Sequence, residues 1–413
     1  MTEARTPPRK GPSEDMSTPG EFDDHLGGLS SQVWDGLAAD HLYSTSDWLR
    51  FCARDIGGTV TAGTAHVSDP GGGIGAAVPV TAVVEEPNGF YRWDSVLRGA
   101  GLPSPGPVGL MAGQRRGYQT HVLTGDGEAL KTPDAERLLD RLRELSGGLA
   151  DTGALPGTPP GPVPCVAPFL TTADALTLRE AGARSHPVLW ATDAWIPVGF
   201  EDWDAWVSTF ASKKRRDNLK REVREFRKAG YTITRAPLSE CCVSTAELLA
   251  ATQKRYGQPY DLDTLTESFR RQADAMGEAA QVLFCSREGE PPVGFCLFYV
   301  HGTTLSIRAV GFDYPELRPG AAEYFNLVYH EPVRIATELG LTWIHPGIEA
   351  PDAKARRGAR LVPLWTLDLT EDSVQLGHDE TIRRHNAERL RGVAELSPVA
   401  DKQIDSDLFA PFC

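Results

Sequence analysis

The chain carries a buried duplication. Residues 179–190 read REAGARSHPVLW and residues 355–365 read ARRGARLVPLW. Gly182-Ala183-Arg184 followed by Pro187 aligns with Gly358-Ala359-Arg360 followed by Pro363, and Trp190 and Trp365 fall one register apart. In each copy a helix ends at glycine and the chain enters an apolar strand, VLWATDAWIPV in one and LVPLWTLDLT in the other. Upstream of each lies a hairpin-like pair: TVTAGTAHVSD with IGAAVPVTAVV, and AAQVLFCSREGEPPVGFCLFYV with TTLSIRAVGF. A helix follows each set, at 134–145 and at 321–339. The tripeptide alone is a match that chance supplies. Its coincidence with the same helix-to-strand switch in both halves predicts a duplicated α/β (α+β) unit, each copy a mixed sheet flanked by helices.

A length of 413 residues accommodates two such domains. The expected division is a tail at 1–20, a first domain at 21–192, a second at 193–405 and a short tail at 406–413. The helix DAERLLDRLREL (134–145) repeats leucine at helical spacing and is expected to stop at Gly147-Gly148. The Pro/Gly-rich stretch 151–164 is a linker or a surface loop. Seven cysteines form no CxxC pair and no zinc spacing with histidine, which predicts reduced thiols in a cytoplasmic protein with no metal site. No apolar run is long enough to span a bilayer and the first residues lack a signal-peptide core, so membrane insertion is not expected. The net charge of −14 argues against DNA binding and against nucleic-acid binding by the whole surface.

One local exception stands out. Residues 212–230, SKKRRDNLKREVREFRKAG, hold nine Lys or Arg against three acidic residues. Ser212 and Gly230 are the expected caps. Leu219, Val223 and Phe226 form the docking stripe, and Lys213, Arg216, Lys220, Arg224 and Arg227 recur along one face, with Lys214 and Arg215 beside them. Such a face is either a solvated surface, held by pairs worth about 0.2–0.5 kcal/mol each, or a ridge for phosphates. No aromatic residue is interleaved there, so base stacking is not indicated.

Two further segments carry polar groups at ends of elements. Arg318 and Gly320 precede the helix at 323–339, where free N–H groups favour an anion, although a glycine turn before a helix is commonly only a turn. Between the strand at 342–344 and the second repeat, His345, Glu349, Asp352, Lys354, Arg356 and Arg357 crowd into thirteen residues. They form either a charged loop or a ligand site at the end of a strand.

These segments resemble a known family. Ser212–Gly230 is similar to the basic helix of the Fem-like branch of the GNAT acyltransferase superfamily, which includes peptidoglycan biosynthesis/recognition-type proteins and tRNA-dependent amide-forming enzymes of natural-product pathways. Lys254 to Tyr260 resembles that branch's next helix end. Tyr324, Phe325 and Tyr329, Ala336–Gly340, and Pro346-Gly347 followed by Lys354-Ala-Arg-Arg-Gly358 resemble its distal block. The likeness covers roughly residues 195–370 and is fainter over 30–190. Where many relatives have Gly-Glu-His-Lys, this chain has Pro351-Asp352-Ala353-Lys354.

The resemblance implies tandem duplicated GNAT-like domains and an N-acyltransferase. The acyl group would come from aminoacyl-tRNA, acting as co-substrate with no tightly bound cofactor, and would pass to a small-molecule amine. Acyl-CoA is the alternative donor, and a non-catalytic module binding tRNA or a cell-wall precursor is the alternative class. Glu349, His345 and Asp352 are the candidate catalytic residues. Arg308, Tyr324, Tyr329, Lys354 and Arg357 would hold the substrate. Backbone N–H groups at Val310 and Gly311 would face the oxyanion, as at a strand bulge. Lys213, Lys214, Arg215, Arg216, Lys220, Arg224, Arg227, Arg318 and Gly320 would meet tRNA or another phosphate.

Overall fold

The protein is described by a computed structural model covering residues 25–413 apart from 55–58, 114, 126, 152–154 and 156–161. The expected tail at 1–20 and most of the Pro/Gly-rich stretch lie outside these residues.

Among the described residues eleven strands form one sheet. They are β1 (Thr59–Ser68), β2 (Ile74–Val83), β3 (Gly109–Ala112), β4 (Cys165–Leu170), β5 (Val188–Pro197), β6 (Tyr231–Pro237), β7 (Ala280–Arg287), β8 (Gly294–His301), β9 (Thr304–Phe312), β10 (Trp343–His345) and β11 (Arg360–Asp368). Their spatial order is β1-β2-β3-β4-β11-β5-β10-β9-β8-β7-β6. Both halves repeat one pattern of pairing. In the first, β1-β2 and β2-β3 are antiparallel and β3-β4 is parallel. In the second, β7-β8 and β8-β9 are antiparallel and β9-β10 is parallel.

The repeated sequence explains how the halves join. Gly182 and Gly358 both adopt positive φ, 108° and 86°, where a residue with a Cβ is strained, and each releases the chain from a helix into a strand. Those strands, β5 and β11, lie side by side and antiparallel at the centre of the sheet, Arg360 opposite Trp195 and Thr366 opposite Val188. Each crosses to the other half: β5 pairs with β10, and β11 pairs with β4. The expected boundary at 192/193 therefore falls inside β5.

Helices cover both faces. On the first half, Thr132–Asp151 and Thr172–Glu180 bury Leu138, Leu142, Ala175 and Leu178 against β2, β4 and β11. The first of these runs through Gly147-Gly148 to Asp151, with Leu149 buried beyond the glycines, so packing overrides their weak helix preference. On the second half, Lys213–Lys228 buries Leu219 and Phe226 against one face, and Cys242–Arg255 and Leu262–Met276 cover the other. All seven cysteines are free thiols, and Cys285 and Cys296 are fully buried core residues.

Two expectations about elements need correction. The helix at 323–339 is interrupted: a π-helical turn, Asn326–His330, separates Glu323–Phe325 from Glu331–Glu338. Pro332 has no N–H to return to Val328, which loosens the ladder at that point. Residues 406–413 are not a tail. Ser406–Phe409 is helical, and Phe409 and Phe412 are buried against Trp365. Among the described residues no helix is long and apolar enough to cross a membrane.

Candidate active site

β9 and β10 pair for three residues only, Trp343, Ile344 and His345 with Thr304, Leu305 and Ser306. Then they part. Pro346 cannot donate to a ladder, and Gly347, at φ 80°, turns the chain away. On the opposite side, Leu297 pairs with Ala309 and Phe298 with Ile307, so Arg308 is squeezed out as a bulge. The wedge between the parted strands is a cavity of about 150 Å³. Ile307 to Val310 form one wall, Pro346 to Ala350 the other, and Phe90, Tyr118, Tyr324, Val328, Tyr329 and Lys354 complete it.

Lys354 is the most unusual group in this wedge. It is 5% exposed, carried inward by the short helix Pro351–Ala355, and its Nζ donates to the Gly347 carbonyl at 2.6 Å. Burial pushes its ammonium down to about 8, although the Asp193 and Glu349 carboxylates favour the charged form. Glu349 lies exposed on the wall of the same cavity. A lysine that titrates near neutrality beside an accessible carboxylate can shift protons or stabilise a developing oxyanion.

Behind the wedge, at its apex, His345 Nε2 donates to Asp193 at 2.7 Å. Gln119 Nε2 and Trp195 Nε1 donate to the second oxygen of that carboxylate at 2.7 and 3.0 Å. Burial alone would raise the Asp193 carboxyl, but His345, Gln119 and the Ala194 N–H more than offset it and hold it below its ordinary value. His345 Nδ1 is buried without a hydrogen-bond partner, and the ring packs among Tyr43, Tyr118 and Trp195.

The structure separates the other sequence candidates. Arg308, Val310, Tyr324, Tyr329, Glu349 and Lys354 line the cavity. His345 stands behind it. Gly311 does not line it: it is paired with Phe295 and faces the Leu248 carbonyl, so the bulge lies at Arg308 instead. Asp352 does not line the cavity: it accepts from the Ser397 hydroxyl and from Arg356. Arg357 is buried, pairs with Glu222 at 2.8 Å and stacks on Phe325, 4.3 Å from its centroid. It braces the wall from outside. Arg318 and Gly320 form a turn whose anion is the protein's own: Glu323 accepts from the Arg318 N–H at 2.7 Å.

The basic helix also divides. Arg215 reaches the carbonyls of Ala355 and Arg356, both at 2.7 Å, and Arg216 those of Phe210 and Ala211. These two are structural. Burial, with Arg357 and Arg356 nearby, lowers Arg215 to about 10. Ser212 makes no side-chain cap. Lys213, Lys214, Lys220, Arg221, Arg224, Arg227 and Lys228 remain exposed. Glu222 points inward, accepting from Arg357 and from His330 Nε2 at 2.8 Å. The helix is thus fastened to the segment that delivers Lys354.

The sequence reading placed the whole site in the second half. Phe90, Tyr118 and Gln119 come from the first, and Asp193 from β5, which straddles the expected boundary. A lone carboxylate inside the apolar run VLWATDAWIPV was the available signal for Asp193.

A family profile described as FemAB-like, peptidoglycan biosynthesis/recognition, matches residues 165–399. A crystal structure of FemX covers 83% of this chain and 96% of its own at 13% identity, with a TM-score of 0.57. A tandem GNAT protein from the clavulanic acid biosynthesis pathway covers 83% and 93% at 11% identity, with a TM-score of 0.44. The C-terminal domain of a putative lysylphosphatidylglycerol synthetase from Agrobacterium fabrum covers 84% and 92% at 9% identity, with a TM-score of 0.49. No curated protein sequence matches the chain. The fold is the tandem GNAT-like architecture that the duplication and the resemblance led us to expect.

Proposed function

We propose that this chain, which belongs to the FemAB-like family, is an N-acyltransferase that forms an amide bond in the wedge between β9 and β10, taking an aminoacyl group from aminoacyl-tRNA. The observation that carries the reading is the buried Lys354, with its ammonium pushed down to about 8, on the same cavity as Glu349.

The chemistry follows from positioning. An acceptor amine in the wedge loses its proton to Glu349 and attacks the carbonyl carbon of the donor ester. The C–N bond forms and the carbonyl oxygen becomes an oxyanion, which the Lys354 ammonium stabilises. The intermediate collapses, the C–O bond to the ribose breaks, and the proton passes to the departing hydroxyl. The cavity holds the reactants together, which supplies much of the rate in reactions of this kind. The Asp193–His345 hydrogen bond braces the apex, and the Asp193 and Glu349 carboxylates oppose Lys354 deprotonation.

The donor assignment is supported by the exposed face of Lys213–Lys228. Its seven exposed cations sit on a chain of net charge −14, so an RNA backbone binds at one face and is repelled elsewhere. The small amine acceptor belongs to a cell-wall precursor or a natural product. The deciding experiment offers charged tRNA, or acyl-CoA, with a panel of amines. Amide product from charged tRNA that disappears after RNase pretreatment supports the reading. Product that survives RNase, or that forms only from acyl-CoA, removes the tRNA donor. Binding of tRNA without any product leaves a non-catalytic module.

A further inference from the structure

Among the described residues Arg308 is a cation without an ion-pair partner. Its Nη1 donates to the Tyr118 hydroxyl at 3.0 Å, and its Nε is buried without a partner. Among the described residues no carboxylate lies within ion-pair distance of it. Instead the guanidinium lies over the Trp48 ring at 5.5 Å and the Tyr118 ring at 5.4 Å, with Tyr91, Tyr43 and Tyr299 as its other close neighbours. Burial raises Tyr43, Tyr91 and Tyr299, so all three stay neutral. A half-buried guanidinium with a free donor edge costs stability unless something accepts from it.

Its position shows what that something is attached to. As the bulge residue of β9, Arg308 with Ala309 forms the partition between two cavities. One is the wedge of about 150 Å³. The other, of about 330 Å³, lies on the far side, and its polar lining includes Arg116, Asn88 and Ser268. The two spaces share Arg308 and Ala309 in their linings. Arg308 is thus within reach of a molecule held in either space.

We propose that the acceptor is an amine bearing an anionic group, carboxylate or phosphate, which Arg308 grips while the amine faces Glu349 and Lys354 and the remainder occupies the second cavity. This rests on the acyl-transfer reading for the direction in which the amine points; the anion site stands on its own geometry. A planar fork of donors suits both anions, and the surrounding phenols, kept neutral by burial, add no competing charge.

Three primary amines test it: β-alanine, 2-aminoethyl phosphate and propylamine, which carry a carboxylate, a phosphate and no anion. Thermal melting of the full chain with each, in the absence of any acyl donor, reads binding alone. A rise in Tm with at least one anionic amine and none with propylamine is expected, and which of the two acts distinguishes carboxylate from phosphate. Arg308→Gln abolishes the rise, and in turnover lifts the KM of the anionic amine by roughly 10- to 100-fold, so that its preference over propylamine collapses. Arg308→Lys keeps the charge and loses the fork; it shows a smaller rise, and it serves if the glutamine variant does not fold. An equal rise with propylamine, no rise with either anionic amine, or a wild-type rise in the substituted chains overturns the proposal. The two readings fail separately. Anion-dependent melting without transfer to any amine from any donor removes acyl transfer and keeps the site. Transfer with equal kcat/KM for β-alanine, 2-aminoethyl phosphate and propylamine removes the site and keeps acyl transfer.

Discussion

Asp193 on β5 and His345 on β10 meet at 2.7 Å, each 1% exposed. Their hydrogen bond ties the last strand of the first repeat to the strand of the second whose end opens the wedge. Removing one partner of a buried pair leaves the other unsatisfied, so Asp193→Asn is expected to cost about 3 kcal/mol in denaturant unfolding. The carboxyl is held below its unfolded value of 3.8. Its contribution is therefore fully present above that value and is lost only as pH falls through the lower folded value. The gap between wild type and variant should stay constant from neutrality down to about pH 5 and close only in stronger acid.

Lys354 should trade stability for activity. Its unfolded value is 10.5 and its folded value about 8. The unfolded chain binds more protons between those values, so stability rises with pH across that window and the burial penalty is whole below it. Lys354→Met should raise unfolding free energy by about 2 kcal/mol at neutral pH, after the lost hydrogen bond to Gly347 is counted, and the gain should shrink toward the upper end of the window. In wild type, kcat/KM should fall as pH rises past about 8, as an acting ammonium requires. That falling limb should be missing in Lys354→Arg, at reduced activity.

The basic helix should separate into two functions under mutation. Charge reversal at Lys220, Arg224 and Arg227, all exposed, should lower affinity for tRNA and flatten its dependence on log salt concentration by up to about 3, with Tm nearly unchanged. Arg215→Ala removes two hydrogen bonds to the Ala355 and Arg356 carbonyls. It should instead lower stability by about 1–3 kcal/mol. A filter-binding salt series and a melting curve on each variant check both.

Truncation after Asp405 should fail as a harmless trim. Phe409 and Phe412 are 0% and 3% exposed, and Asn386 Nδ2 donates to the Phe412 carbonyl at 2.7 Å. Loss of two buried phenylalanines is expected to destabilise by about 3–5 kcal/mol or more, visible as a lowered Tm or as insoluble chain.

The duplication was legible in sequence because its marker is local. Gly182 and Gly358 need positive φ at the same helix exits, and local backbone demand writes itself into residue identity. The strand exchange was not legible, because β5 and β11 are equally apolar and nothing in their own residues says whose sheet they join. The polar cluster after β10 was visible as a cluster, yet spacing could not tell Lys354, which turns inward, from Asp352, which turns to Ser397. Charge counting saw nine cations on one helix but not that Arg215 and Arg216 close carbonyls of neighbouring segments. Tyr118 and Gln119 lie outside the half that carries the polar cluster, and Asp193 stands alone in an apolar strand, so none of them is marked in sequence, whereas the wedge is built across the junction.

The most direct test follows a labelled aminoacyl group from charged tRNA into an amide product under single turnover, in wild type, Glu349→Gln and Lys354→Met, with tRNA affinity measured beside it. The account predicts transfer by wild type, and rates reduced at least about 100-fold in both variants with tRNA affinity held. Undiminished transfer in both variants would contradict it.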